Sequence, residues 1–143
     1  MANPKERVSV LSTDFAVLWL RVLGSLLLIV VHGLPKLLHF QQELQVIEDP
    51  FGIGAQLTLI LAIFAEVVCP IGIIVGFLTR LATLPILFLL AVSVIYVHPE
   101  WSLWEGQFAW LLLIIFSAIL VGGTGRFGVV QLVSSRWPVL SAL

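Results

Sequence analysis

The chain has 143 residues, of which 60% are hydrophobic and only 10% are charged, and its mean hydropathy is +1.14. Soluble domains carry about 25% charged residues, so this composition predicts a chain solvated by lipid. The net charge of −1 provides no basic surface for nucleic acid, and a lone cysteine, Cys69, excludes an intramolecular disulfide, a cysteine-based metal knuckle and a CxxC redox pair.

Continuous apolar runs predict four transmembrane helices within a single domain that covers residues 1–143. Each run is close to the ~20 residues that a helix needs to cross a bilayer, and runs without alternation favour helices over a β-barrel. The first run is longer than the ~7–15 apolar residues of a signal peptide, so it is predicted to be retained. The predicted spans are 15–34, 55–78, 81–97 and 107–122. The fold class is therefore an all-α polytopic membrane protein, a bundle of four transmembrane helices.

Basic residues are unevenly distributed over the loops, and this bias predicts the orientation of the spans. One side of the membrane would carry Lys5, Arg7, Arg80, Arg126 and Arg136. The other side has only Lys36, at the end of the first span. Both termini are therefore predicted to be cytoplasmic. The aromatic residues agree with this orientation. Tyr96, Trp101, Trp104 and Trp110 would form an outer belt, with Trp19 and Trp137 nearer the inner face.

Strongly charged residues lie inside two of the apolar runs, Arg21 in the first and Glu66 in the second. Such charges cost roughly 2.5–3.5 kcal/mol each on insertion scales, and they usually face a bundle interior or a functional cavity. With a rise of ~1.5 Å per residue, Arg21, His32 and Glu66 reach similar depths, and Lys36 lies one turn beyond His32. The sequence therefore predicts an intramembrane polar cluster of Arg21, His32, Lys36 and Glu66.

This cluster has a structural and a functional interpretation. In the structural one, Arg21 and Glu66 form a neutralising salt bridge that fixes the pairing of two helices. In the functional one, His32 is a proton relay, because the pKa of a histidine is close to neutral. Lys36 has a third interpretation, as a residue that extends its ammonium group to the interface. No residue set has the spacing of metal ligands, so no metal site is predicted.

Glycines mark sites where helices can approach closely. Gly72 and Gly76 form a small-xxx-small face on the second span, and Gly24 provides another on the first. These glycines are predicted to pack helices and have no predicted chemical role. The loop between the first and second spans, at about 39–54, has apolar residues spaced loosely as in an interfacial helix.

Several motifs recur in a fixed order along the chain. Arg21 is followed by H-G-x-x-K at His32–Lys36, Glu66 precedes a G-x-x-T-R turn at 76–80, and G-x-G-R occurs at 123–126. In this order the motifs resemble those of the DoxX family of small bacterial membrane proteins, over about Trp19 to Phe127. The chain departs from the family pattern after G-x-G-R, where a Ser and an Asp are common, and at Gln107, where many members have an acid.

The resemblance implies a protein of the bacterial inner membrane that is tied to redox physiology. Some relatives are subunits of thiosulfate:quinone oxidoreductases, and others associate with oxidative-stress or thiol-handling enzymes. The leading hypothesis is a membrane subunit that binds a quinone, with no covalently bound cofactor, or that docks a soluble or membrane redox partner. The alternatives are an assembly or anchoring subunit without chemistry of its own, and a small transporter or proton pathway. A homo-oligomer is compatible with each, and the sequence does not decide whether the chain is an enzyme.

Overall fold

The computed structural model describes residues 4–129, with side chains from residue 13 onward, and this part of the chain is helical without any strand. Its helices are α1 (Pro4–Leu28), α2 (Leu34–Leu38), α3 (Phe40–Val46), α4 (Ala55–Ile63), α5 (Cys69–Val75), α6 (Thr79–Val92) and α7 (Gln107–Gly122). Its π-helical turns are Ile29–Gly33, Phe64–Val68 and Ser93–Val97. Lys5 and Arg7 lie in α1 before the described side chains begin, and Arg136 and Trp137 lie outside the described residues.

Three helical stretches are long and apolar enough to cross a membrane: the first span Thr13–Leu38, the second span Ala55–Val75 and the third span Thr79–Val97. The helix α7, Gln107–Gly122, is equally apolar but has only 16 residues. With a rise of ~1.5 Å per residue it is ~24 Å long. The predicted all-helical membrane fold is confirmed at this level, whereas the fourth crossing and the cytoplasmic termini stay predictions.

Each π-helical turn ends two residues before a proline, at Pro35, Pro70 and Pro99. A proline inside a helix lacks the N–H that would bond the carbonyl four residues earlier, and its ring collides with that carbonyl. A π turn has one more residue than an α turn between the hydrogen-bonded N–H and carbonyl groups. Such bulges are a common way to relieve the collision. Pro85 is different, since it lies inside α6 without a π turn.

The first of these turns corrects a predicted boundary. The first span was expected to end at Leu34 because of Pro35. Instead the helix passes through the π turn, with the Leu34 N–H bonded to the Ile29 carbonyl, and continues to Leu38. The continuation places Lys36 on a helix that belongs to the bundle.

The second span ends three residues earlier than predicted, at Val75. Gly76 has φ +77°, and its N–H bonds the carbonyl of Ile73 while the N–H of Phe77 bonds that of Gly72. This is the Schellman arrangement that closes many helices, and it favours glycine at the left-handed position. The third span then begins at Thr79, two residues before its predicted start.

The helices form a ring in which each packs on its neighbours in the sequence and the last packs on the first. Helix α1 contacts α5 and α7, and α6 contacts both of them from the opposite side. The shared core consists of Leu28, Cys69, Ile73, Ile86, Leu90, Leu112, Phe116 and Ile119. Cys69 is therefore a packing residue. Most of the other large apolar side chains face outward, as expected where lipid is the solvent.

The connection between the first and second spans contains the helix α3 and a turn organised by Asp49. The carboxylate of Asp49 accepts hydrogen bonds from the N–H groups of Ile53 and Gly54 and from the hydroxyl of Thr58. A short helix is thus present in the predicted loop and ends at Val46, and its interfacial position stays a prediction.

Candidate functional site

Arg21 is completely buried, and backbone carbonyls neutralise its charge. Its Nε donates to the carbonyl of Ile73 at 2.9 Å and its Nη2 to that of Ile74 at 3.2 Å. Its Nη1 donates to the carbonyls of Thr124 and Phe127, the latter at 2.9 Å. Two of these acceptors are among the last carbonyls of the second span, where a helix carries partial negative charge.

The same end of the bundle holds the G-x-G-R loop in place. The hydroxyl of Thr124 donates to that of Thr79 at 2.8 Å, and Arg80 donates to the carbonyl of Val121. Asp14 accepts the N–H of Arg126. We call this region the Arg21 cluster, which comprises Arg21, Ile73, Ile74, Gly76, Thr79, Thr124 and Phe127.

The sequence left open whether Arg21 pairs with Glu66, and in the structure the two residues have different partners. The carboxylate of Glu66 pairs with Lys36, whose Nζ lies 2.8 Å from Oε2 and 3.1 Å from Oε1. The side chain of Glu66 is 5% exposed and that of Lys36 is 19% exposed, so the pair is largely buried. The Arg21 contact at Ile73 lies seven residues beyond Glu66, about 10 Å along the helix. The predicted group of four therefore separates into two sites.

His32 belongs to the same site as Lys36 and Glu66. It lies one turn before Lys36 on the first span, is half-buried, and packs its ring on that of Phe108, with 5.3 Å between the ring centroids. The three ionisable groups and the neighbouring Gly33 form what we call the Glu66 cluster. Phe108, at the start of α7, provides an aromatic surface beside it.

The two π turns of the first and second spans bring this cluster together. They contact each other, and an added Cβ at Gly33 would lie 2.5 Å from the carbonyl oxygen of Glu66. Only glycine permits such a close backbone approach. Since π turns are frequent at functional sites, their meeting at His32 and Glu66 distinguishes this region from the rest of the bundle.

The three predicted packing glycines have different surroundings. Gly24 lies against α7, where an added Cβ would be 2.7 Å from Ile115 Cγ2. Gly76 closes the second span, and a Cβ there would collide with Arg21 Nη2 at 2.4 Å. Gly72 has room for a Cβ, with Phe77 O at 3.5 Å. Gly72 and Gly76 therefore both face other parts of the same chain.

Neither a groove nor a metal site strengthens the assignment of the Glu66 cluster. A shallow groove of about 490 Å³ is lined by Phe15, Ala16, Trp19 and Leu20, on the half of the first span away from Glu66. The groove is almost wholly apolar, so it lacks the hydrogen-bonding side chains that the Glu66 cluster has. Among the described residues no group of three His, Cys, Asp or Glu residues is placed to hold a metal ion.

The sequence did not predict that the G-x-G-R loop contacts Arg21. Its carbonyls, rather than its arginine, hold Arg21. The available signal was that the motif follows an apolar helix and has two glycines, Gly123 and Gly125, which adopt positive φ. Such glycines indicate a tight turn that folds back on the helix ends.

The long apolar helices and the buried charges define a helical integral membrane protein. The family model described as DoxX matches residues 16–99, more than half of the chain, and the protein belongs to the DoxX family. The resemblance seen in the sequence is therefore confirmed, although the G-x-G-R loop lies beyond the matched residues. No curated protein and no solved structure matches this chain.

Proposed function

We propose that this protein is a membrane subunit of a redox system and that the Glu66 cluster binds the head group of a quinone. The observation that carries the proposal is the largely buried Lys36–Glu66 ion pair with His32 one turn away. Ionisable residues inside membrane spans are rare, and they mark substrate sites and proton routes more often than other positions do.

The cluster has the groups that quinone binding requires. A quinone has two carbonyl oxygens that accept hydrogen bonds and a flat ring that packs on aromatic surfaces. Lys36 and His32 provide donors, and the ring of Phe108 lies beside His32. When a quinone is reduced it takes up protons, which the ammonium group of Lys36 and a protonated His32 are able to supply, and the carboxylate of Glu66 can accept a replacement proton. Electrons would come from a partner oxidoreductase.

The ion pair leaves one donor of Lys36 for a ligand. Both oxygens of Glu66 accept hydrogen bonds from Lys36, which uses two of the three N–H donors of the ammonium group. The side chain of Lys36 is 19% exposed, whereas that of Glu66 is only 5% exposed. We expect Lys36 to make the first contact with the ligand.

Native mass spectrometry of the protein, extracted from its own membranes in mild detergent, tests the proposal. We expect a co-purifying quinone in the unchanged protein and its loss in Glu66→Gln and His32→Ala. Glu100→Gln is the matched control, because Glu100 is an exposed carboxylate in the turn before α7. Equal quinone content in all four proteins, or none in any, would overturn the proposal.

A second candidate is an anchoring subunit without chemistry. It is favoured by the completeness of the Lys36–Glu66 pair, since a pair that satisfies itself can serve packing alone. This function predicts a stoichiometric partner protein in the same spectra, retained in Glu66→Gln. Gly72→Leu is unsuitable as a test of partner release, because Gly72 lies against the start of the protein's own third span.

The proposed orientation has both termini in the cytoplasm of a bacterium and the protein in its inner membrane. Arg80 and Arg126 lie at the Arg21 end of the bundle, and Glu100 and Glu105 lie in the turn at the opposite end, which agrees with the positive-inside rule. In a Cys69→Ala background, a cysteine at the exposed Glu100 should react with an impermeant maleimide added outside spheroplasts. Reaction only after permeabilisation would reverse the orientation.

A further inference from the structure

The turn between the third span and α7 exposes large apolar side chains in an unusual way. Leu103 is 75% exposed and Trp104 is 79% exposed, at the tip of a turn that spans 98–106. Neither residue packs into the bundle. The turn connects two consecutive helices of the membrane domain, so its tip is held close to the level where those helices end.

Several polar groups of this turn form hydrogen bonds with one another. Glu105 accepts hydrogen bonds from the backbone N–H and the hydroxyl of Ser102, at 2.9 and 2.8 Å. The N–H of Gly106 bonds the Ser102 carbonyl, and His98 stacks on Trp101 with 3.7 Å between ring centroids. The turn therefore satisfies its polar groups internally while it presents an apolar tip.

The adjoining helix α7 is shorter than the hydrocarbon core of a bilayer, and the apolar tip can add to its apolar length. Helix α7 has 16 residues, about 24 Å, whereas the hydrocarbon core of a bilayer is about 30 Å thick. A short helix is accommodated by local thinning of the bilayer or by apolar residues that flank it. The turn precedes α7 directly, and Trp104 lies three residues before its first residue.

We propose that the Trp101–Trp104 turn inserts into the headgroup interface of the bilayer and thereby extends the apolar length of α7. We expect phospholipid, rather than a second protein, to cover the exposed surface. Tryptophan suits this level because its ring is apolar while its N–H remains hydrogen-bonded.

The depth of insertion is limited by charge. Hydrogen bonds from Ser102 lower the pKa of Glu105, so this carboxylate stays ionised, and Glu100 is a second exposed carboxylate in the turn. Ionised groups are excluded from hydrocarbon. The tip should therefore occupy the interface and stop short of the acyl core. This assignment is independent of the proposed quinone site.

Depth-dependent quenching of tryptophan fluorescence tests the inference. The protein would retain Trp104 as its only tryptophan, with Trp19, Trp101, Trp110 and Trp137 replaced by Phe, in phosphatidylcholine vesicles. Acyl chains brominated near the headgroup should quench Trp104 more strongly than chains brominated near the methyl end, and aqueous iodide should have little effect. Strong iodide quenching would place the tip in water, and resistance to all quenchers would mean that protein covers it. Either result overturns the inference.

A second measurement applies if the multiple replacements prevent folding. Leu103→Cys with a nitroxide label, in a Cys69→Ala background, reports depth by power saturation in oxygen and in an aqueous nickel chelate. We expect a ratio of the two effects intermediate between those of a label at the exposed Glu48 and at the lipid-facing Ile114. A ratio equal to that at Glu48 contradicts insertion.

Discussion

The Arg21 cluster and the Glu66 cluster place buried charge in the same bundle but satisfy it by different means. Arg21 donates to four backbone carbonyls from two segments, which leaves its charge no further role. Glu66 has a side-chain partner, Lys36, that is still partly exposed. A charge neutralised by backbone is fixed with the fold, whereas a charge neutralised by a side chain can exchange its partner. The comparison gives Arg21 a structural role and makes Glu66 the candidate for the proposed quinone site.

The largest expected effect is on stability, from Arg21→Leu. The change removes a donor from four carbonyls, of which that of Ile73 keeps the N–H of Gly76. Each of the other three costs about 1–3 kcal/mol if it is left unsatisfied, so the total loss is on the order of 3 kcal/mol or more. Unfolding in mixed micelles with increasing SDS measures it. Arg126→Leu is the control, because Arg126 is 67% exposed and pairs with Asp14 only at 4.0 Å, and it should cost under about 1 kcal/mol. Similar losses in the two variants would remove the structural role of Arg21.

The second-largest expected effect is also on stability, and it comes from breaking the Lys36–Glu66 ion pair. Glu66→Leu leaves Lys36 without its partner, and breaking a buried pair costs up to about 3–5 kcal/mol, less here because Lys36 is partly exposed. Lys36→Met combined with Glu66→Leu removes both charges and should restore most of the stability. The same SDS titration measures the double-mutant cycle. A double variant as unstable as the single one would mean that the charges are needed for the fold.

Glycine substitutions should change stability by a smaller amount, and the change should differ between Gly33 and Gly72. Gly33→Ala places a methyl group against the carbonyl of Glu66, and overpacking of this kind costs about 1–3 kcal/mol. Gly72→Ala meets only ordinary contacts inside a helix and should be neutral or stabilising by up to about 1 kcal/mol. Thermal unfolding in detergent compares the two. Equal melting temperatures would show that the π turns are not in close contact.

The smallest effect concerns the Asp49 turn, which is remote from both clusters. Partial desolvation raises the pKa of Asp49, but hydrogen bonds from Gly54, Thr58 and Ile53 outweigh it and lower the pKa below its usual range. Because the folded-state pKa is lowered, the stabilisation is complete above the unfolded pKa and is lost as the pH falls through the folded one. The protection factor of the Gly54 amide, which is the intrinsic exchange rate divided by the observed one, should therefore fall as the pH is lowered, and Asp49→Asn should show reduced protection already at neutral pH. A protection factor without this pH dependence would contradict the assignment.

The spans could be predicted from the sequence because apolar length alone specifies them. The polar contacts could not, since depth along a helix does not give the direction in which a side chain points. Arg21 and Glu66 were paired on depth, yet they contact different neighbours. Lys36 was placed at the boundary because Pro35 was expected to end the helix. A helix can continue past a proline that follows a π turn, as it does at Pro35 and Pro70, whereas the third span ends at Val97, before Pro99.

The family motifs are explained by the same two clusters. The early arginine, the G-x-x-T-R turn and the G-x-G-R loop meet at Arg21, where they join all four helices of the ring. The H-G-x-x-K motif and the glutamate meet at Glu66. Motifs that are far apart in the chain thus form two compact sites, about 10 Å apart along the second span.

Quinone binding by the Lys36→Met/Glu66→Leu variant is the most direct test of the central claim. The purified unchanged protein and the double variant would be titrated with a water-soluble quinone in nanodiscs, after their unfolding transitions have been compared. We predict that the variant folds with nearly the same stability as the unchanged protein and that its quinone binding is abolished. A folded double variant that binds quinone as the unchanged protein does would show that the Glu66 cluster is another structural pair.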